Sequence, residues 1–389
     1  MSDRCVTGHT IQIVDRGGSG KIAQLRNLTS VEWGRILEGK SISTIKLTGR
    51  NCDEQVDELN KIQARRHELV VFRGRDRVWE GPIKNVTTTR GFAEITAADC
   101  GEYLDFTALS KAWPLDTGTP GAVTSARMTY RVEAILAYEL SVDYSMVVGT
   151  GGAAHTVNVP RWETVTPPAN LLPHLDVRHS ETLLTRSDTL EFEMSLGEHL
   201  YNLSEGGLAY TWIGRSLLVW DISQSIGAIK TLTEADFYGD PSVRQSGADH
   251  WSISHRRAQQ QDETLPAPVG NAGGENDYYG VWTHIVSSSE EDGADTPTQD
   301  ALNSQAQRDL VGRTPVPLTL SLPTGTGLKL GPDLTINQLV PGVEVPVLAR
   351  LNLRQMSQRQ RLSELKVTET ADGEKITVTL IPIGEAVAA

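Results

Sequence analysis

The stretch LVVFRGRDRVWEGPIKNVTTTRGFAEITAAD, residues 69–99, decides how the chain is to be read. Residues 69–72 are a short apolar run; Gly74, Arg75, Asp76 and Arg77 break it, Val78 and Trp79 resume it, and Ile83 starts another run beyond Gly81 and Pro82. Strand, turn, strand, kink, strand is the economical reading. After a turn at Arg90 and Gly91, the residues Phe92, Glu94 and Thr96 alternate with Ala93, Ile95 and Ala97, as in a sheet with one buried and one wet face. Pro82 has no N–H to give a ladder, so Gly81-Pro82 belongs at an edge or bulge where the sheet bends. The expectation is a sharply curved antiparallel sheet, a small barrel, with Trp79 in its core.

Upstream, residues 10–14 and 22–28 read as strands joined by the loop Arg16-Gly17-Gly18-Ser19-Gly20-Lys21. Glycines after a strand can cradle a phosphate, but a full P-loop needs Gly where Asp15 stands and Ser or Thr where Ile22 stands, so nucleotide binding is not expected. Residues 31–37 and 42–47 are further strands. Asn51, with Glu54 three residues on and Val56, Leu59 and Ile62 at helical spacing, marks a short helix.

Downstream, residues 130–140 form the clear helix of an otherwise proline-punctuated region, and residues 147–159 fit a hairpin. Leu190, Phe192 and Met194 alternate with Glu191 and Glu193. Two carboxylates at that spacing could serve acid–base hydrolysis, yet on a half-buried strand they are ordinarily its wet face. Residues 195–203 read as a helix and 208–221 as a hairpin turning at Gly214-Arg215. His250 and His255, five apart near a strand, share no face and make a poor metal pair. Residues 258–277 and 287–300 are polar loops, the second departing from a calcium loop at Ser288 and Gln299. A helix at 300–310 precedes strands at 318–322, 343–348, 362–368 and 375–381. The last two strands, with a turn at 371–374, resemble the hairpin of the opening stretch.

These elements predict a mainly β chain, α+β overall, with two barrel-like β domains flanking smaller α+β domains. The boundaries are 1–107, an N-terminal barrel-like domain; 108–187, an irregular insertion-like domain with one helix; 188–258, a small α+β domain; and 259–389, a C-terminal β domain with acidic loops. A length of 389 residues calls for more than one core. No apolar run approaches a membrane span, and MSDRCVTGHT lacks the apolar region of a signal peptide. Cys5, Cys52 and Cys100 are far apart and read as reduced thiols. The net charge of -13 is uneven: residues 1–90 hold 16 Lys and Arg against 11 Asp and Glu, leaving 20 against 38 for the rest. The basic residues are dispersed along strands rather than clustered with stacking aromatics, which fits docking onto an acidic protein surface better than sequence-specific nucleic-acid binding.

The segments VEWGRIL (31–37), Asn51-Cys52, ELVVFRGRDRVWEGPI (68–83) and AADCGEYL (97–104) resemble the minor tail proteins of siphophages infecting actinobacteria; DALNSQAQRDLVGRTPVP (300–317) and LVPGVEVPV (339–347) resemble that family's C-terminal half. The resemblance covers both ends and barely touches residues 108–187. It implies a structural virion protein, a baseplate or tail-tip hub that closes the tail tube, assembled in the host cytoplasm. The implied partners are two further copies in a homotrimer, a distal tail protein or tube ring, a tape measure protein, and other minor tail, fibre or spike proteins. It implies no cofactor. Catalytic, cofactor-binding and metal-ligating residues are all expected to be absent, since the chain has no HExxH, GxSxG or family-like Cys-His spacing. The competing readings are a tail-associated cell-wall hydrolase, and a carbohydrate- or receptor-binding protein using Trp113, Trp162, Trp251 or Trp282.

Overall fold

The computed structural model describes residues 6–18, 20–48, 53–109, 128–141, 144–148, 155–159, 172, 175–180, 194–258, 267–287, 299–323, 325–351, 354–383 and 387–388. The chain is mostly β and multi-sheet. It divides into two compact units, the first made of Met1–Leu203, Leu208–Asp221 and Lys366–Ile376, the second of Ser204–Gly207, Ile222–Leu365 and Thr377–Ala389.

The first unit is built on β1 (His9–Asp15), β2 (Lys21–Leu25), β3 (Leu28–Ile36), β4 (Ile42–Thr48), β5 (His67–Arg73), β6 (Asp76–Thr88) and β7 (Phe92–Ala98), with the short helix α1 (Asp53–Asn60) between β4 and β5. Their order is β2-β1-β5-β6-β7-β4-β3. As the alternation in β7 requires, Ala93, Ile95 and Ala97 are buried while Phe92 is exposed. β6 pairs with β5 up to Pro82, which lies opposite Glu68, and with β7 from Ile83, which lies opposite Ala97. The sheet thus changes partner at Gly81-Pro82, where the missing proline N–H costs least. Glycine is needed there for a second reason: a Cβ on Gly81 would overlap the Ala98 carbonyl oxygen. Trp79 is buried beside this bend and donates from Nε1 to Ser41 Oγ at 2.9 Å.

The curvature does not produce a barrel. Among the described residues no closed barrel is found, which corrects the expectation that the opening sheet closes into a small barrel; the mainly β, multi-sheet class stands. The reason is that the outer side of β3 is taken by a strand from the far end of the chain, so β2 cannot close on β3. Residues 366–376 of that C-terminal hairpin belong to the first unit and are clamped there. Glu369 accepts hydrogen bonds from Gly8 N at 2.8 Å, Thr7 N at 3.3 Å and His9 Nδ1 at 2.5 Å. Trp33 Nε1, which can only donate, points at His9 Nε2 at 3.0 Å, so the His9 proton sits on Nδ1 and is given to Glu369. Burial alone would raise the Glu369 carboxyl, but the donors from His9 and Gly8 outweigh it and hold it below the ordinary carboxylate range. Arg73 grips Glu374 through two bonds of 2.7 Å.

The remainder of this unit comprises α2 (Glu102–Asp105), α3 (Met128–Ser141), the antiparallel pair β8 (Tyr144–Val148) and β9 (His155–Val159), β10 (Asp176–His179), α4 (Leu196–Glu205), β11 (Leu208–Ile213) and β12 (Ser216–Asp221). The helix and both hairpins expected here are present. Leu104, Val132, Ile135, Leu200, Leu208 and Leu217 share one core. Glu191 and Glu193 lie outside the described residues.

The second unit contains two-residue strands β13 (Phe237–Tyr238) and β19 (Gly327–Leu328), paired together, and β14 (Ser242–Gln245) paired with β18 (Leu318–Ser321). A three-stranded sheet of β16 (Val269–Gly273), β15 (Ile253–Arg257) and β17 (Thr283–Ser287) packs against α5 (Gln299–Asp309). Asp309 holds this sheet by accepting from Arg256 Nε at 2.7 Å and from Ser254 Oγ at 2.9 Å. β20 (Glu344–Leu351) pairs with β21 (Arg354–Thr370), whose hairpin partner is β22 (Gly373–Pro382); the short β23 (Val387–Ala388) also borders β21. Gly373 makes the hairpin turn at φ +117°.

The bend yields a prediction. Gly81→Ala must displace Ala98 or break the pairing, and overpacking of this kind costs about 1–3 kcal/mol. Trp79→Ala opens a cavity and removes the donor to Ser41 Oγ, at about 3–5 kcal/mol. Both variants should melt below the parent in a thermal scan, with Trp79→Ala the lower; an unchanged melt for both would show that the bend is not under this constraint.

Candidate functional site: a buried ionic cluster and an exposed aromatic edge

Glu68 stands opposite Pro82 and is fully buried. Its Oε1 accepts from Tyr103 Oη at 2.8 Å and from Gly17 N at 3.3 Å; its Oε2 is bonded to Arg215, which the β11–β12 turn delivers through Gly214 at φ +58°. Arg215 Nε lies 3.4 Å from Glu80, and Glu80 is also paired with Arg77. Two guanidinium groups thus meet two carboxylates, and the cluster is neutral. Burial would lower the Arg215 guanidinium, but its neighbours, Glu68 and Glu80 among them, reverse this and keep it charged. Burial, reinforced by the Glu68 carboxylate, pushes the Tyr103 phenol up, so it remains a donor. Burial also pushes the Cys100 thiol well up, which leaves it neutral and unreactive.

The glycine loop ends in the same place. Its amides are used by the chain itself: Gly17 N by Glu68, Gly18 N by the Asp15 carbonyl at 2.9 Å, and Arg16 N by Asp15 Oδ1 at 2.9 Å. These three amides are thus turned to Glu68 and Asp15 of the chain itself. Every charge in the cluster faces a fixed partner, and together they cross-link β5, β6 and the β11–β12 hairpin. The cluster joins Glu68 to a residue 147 positions away, a pairing invisible to pattern reading; the signal was a carboxylate placed directly before the apolar run of β5.

Asp99, at the end of β7, is fully buried and accepts from Ser41 N at 2.5 Å, Ser41 Oγ at 2.7 Å and Gly101 N at 3.0 Å. Burial dominates these bonds and pushes its carboxyl up to about 6.

In the second unit His250 and His255 do not converge: His250 Nδ1 meets the Arg313 carbonyl at 2.7 Å, and His255 Nδ1 meets Asn271 Oδ1 at 2.5 Å. Among the described residues no group of three or more His, Cys, Asp or Glu could hold a metal ion, and no helix is long and apolar enough to cross a membrane. Trp251 is sandwiched between His284, stacked at 4.1 Å, and the Arg313 guanidinium at 4.3 Å, so neither face is open to a sugar. Trp113 and Trp162 lie outside the described residues, as does the acidic loop compared with a calcium site.

The exposed aromatic surface is elsewhere. Tyr278 is 87% exposed, Val281 57%, Trp282 54% and Ile285 68%, four large apolar side chains within eight residues. The loop carrying them is rigidly braced. Asn276 Oδ1 accepts from Tyr278 N at 3.0 Å and Tyr279 N at 2.8 Å, Trp282 Nε1 donates to the Tyr279 carbonyl at 2.7 Å, and Ser252 Oγ accepts from Trp282 N at 3.1 Å. Preorganised Tyr and Trp side chains beside a strand are the makings of a protein-docking surface.

No protein-family model matches the chain, and no curated protein matches it in sequence. Its fold is that of prophage tail proteins. The 43 kDa tail protein of prophage MuSo2 from Shewanella oneidensis superposes with a TM-score of 0.57 at 13% identity, over 97% of this chain and 98% of that one. The tail protein from Neisseria meningitidis MC58 gives 0.53 at 11% identity, over 97% of both chains. Prophage tail protein gp18 from Listeria monocytogenes EGD-e gives 0.51 at 10% identity, over 95% of this chain and 94% of that one.

Two predictions follow from these geometries. Arg215→Ala leaves Glu68 and Glu80 buried without their shared cation and should lower unfolding free energy by about 3–5 kcal/mol. Arg178→Ala, which removes only a surface pair with Asp176, should leave a denaturant titration unchanged. For Asp99, a folded value near 6 against 3.8 unfolded means that the folded state binds the extra proton, so this group's contribution to stability rises as pH falls through that window. Relative to Asp99→Asn, the parent chain should gain up to about 3 kcal/mol between pH 6 and 4 and show no relative change above pH 7. A relative loss on acidification would reverse the assignment.

Proposed function

We propose that this chain is a structural component of a phage tail tip, a hub in which three copies form a closed ring at the end of the tail tube. The observation that carries the reading is the end-to-end fold match with a prophage tail protein, 97% of one chain on 98% of the other. The sequence resemblance to minor tail proteins of actinobacterial siphophages supports the same role, and extends it to siphophage particles with a distal tail ring, tape measure protein and fibre or spike as neighbours. The site contributes what a scaffold needs. Its buried charges are cross-links, and its exposed aromatic groups lie on a braced strand edge. On this reading the chain is non-enzymatic, takes no cofactor, and is located in the virion at the tail tip after assembly in the host cytoplasm.

Mass measurement of the purified chain and antibody labelling of intact tails test the proposal. A trimer and label confined to the tail tip are expected; a chain monomeric both alone and within tails would end it. Cell-wall zymography should give no clearing, and clearing abolished by one Asp, Glu, Ser or His substitution would establish a hydrolase instead.

A further inference from the structure

Two of the small sheets of the second unit are each closed on one side and, among the described residues, bordered by no strand on the other. On β16 the outer amide and carbonyl are taken by side chains of α5: Asn271 N donates to Asn303 Oδ1 at 3.0 Å, and Gln299 Nε2 donates to the Val269 carbonyl at 2.8 Å. On β18 two glutamines of β21 do the same, Gln358 Oε1 accepting from Leu318 N at 3.0 Å and Gln360 Nε2 donating to the Leu318 carbonyl at 2.9 Å. Among the described residues β17 is bordered only by β15, and β14 only by β18. An edge left open beside four large exposed apolar side chains, in a run 278–287 without one Lys, Arg, Asp or Glu, invites another strand.

We infer that β17 of one copy pairs antiparallel with β14 of the next copy, so that strand addition between these two edges is the contact that closes the ring. The inference rests on the ring reading above and names its surface. A second copy is the occupant because the two edges complement each other in charge. Exposed Glu275 and Asp277 lie in the loop entering β17, and Arg257 is level with its last residue, Ser287. On β14, exposed Arg244 lies towards the end and exposed Asp240 lies just before the start. Antiparallel pairing sets Glu275 and Asp277 near Arg244, and Arg257 near Asp240; parallel pairing would set like charges together at both ends. Chains of net charge -13 repel, and the uncharged centre of β17 lets the backbones approach without adding to that cost. Because the two edges differ, the contact is head-to-tail, the type that generates rings when the rotation closes.

The full-length double variant Val243→Cys, Ile285→Cys tests the pairing under mild oxidation. Covalent species rising to the trimer are expected, with neither single variant forming them. Arg244→Glu should shift ring dissociation to at least tenfold higher protein concentration by native mass measurement, and adding Asp277→Lys should restore it. If the ring persists unchanged in Ile285→Lys and Arg244→Glu and the double cysteine variant does not cross-link, the strand pairing is overturned while the ring reading stands. Cross-linking by Ile285→Cys alone would mean that β17 meets itself, and would also overturn it. A parent chain that is monomeric alone and in tails removes the ring reading itself.

Discussion

A carboxylate stripped of water has to be solvated by protein, and the arrangement of the first unit follows from how Glu68 meets that demand. Its partners come from four places: the glycine loop after β1, the helix α2, the β11–β12 hairpin, and through Arg215 the strand β6 that carries Glu80. Desolvating such a pair costs several kcal/mol per ion, and only a complete set of partners offsets it. Partial assembly is therefore worse than none. The cluster thus penalises every arrangement in which the hairpin is misplaced, although an apolar replacement of equal volume could bind as tightly. What the buried ions add is geometric specificity: the hairpin can sit on the sheet in one way.

That use of charge fixes the groups of the cluster in single protonation states. A catalytic cleft keeps a titratable group poised and partly unmet, whereas here Arg215 is held charged, Tyr103 is held protonated and Cys100 is held as a thiol, each by burial and fixed neighbours. The groups left facing outward are of another kind. Tyr278 and Trp282 are held by backbone and side-chain hydrogen bonds, and with Val281 and Ile285 they remain more than half exposed. On the tail-hub reading proposed above, rigidity inside and apolar surface outside suit a part that is fitted to other parts.

Local pattern carried a good share of the fold. The run 69–99 announced β5, β6 and β7, their alternating burial and a bend at Gly81-Pro82, because strand periodicity and the missing proline N–H are properties of neighbouring residues. The helices around 130–140 and 300–310 were legible for the same reason. What sequence could not convey was closure. Whether a curved sheet shuts on itself depends on which strand reaches its last edge first, and that strand comes from beyond residue 365. The Glu68–Arg215 pair escaped for an equivalent reason: two charges 147 residues apart look like two surface residues until a fold brings them inside. The glycine loop shows the converse. Its composition suggested an anion site and the mismatched motif excluded nucleotide; the anion turned out to be the chain's own.

The resemblance between the C-terminal hairpin and the opening stretch takes on a different meaning once its tip is located. Both hairpins alternate because each puts one face on a core, but β21 and β22 put theirs on two: residues 354–365 and 377–382 belong to the second unit and residues 366–376 to the first. The first unit is consequently incomplete until nearly the whole chain exists. Thr7, Gly8 and His9 wait for Glu369, some 360 positions later, and Arg73 for Glu374. Contacts of such sequence separation form late, since the loop they close must be ordered first. Until then β3 presents an unpaired edge and His9 a buried nitrogen without its carboxylate. A chain built this way makes completion of its N-terminal sheet conditional on its C-terminal hairpin.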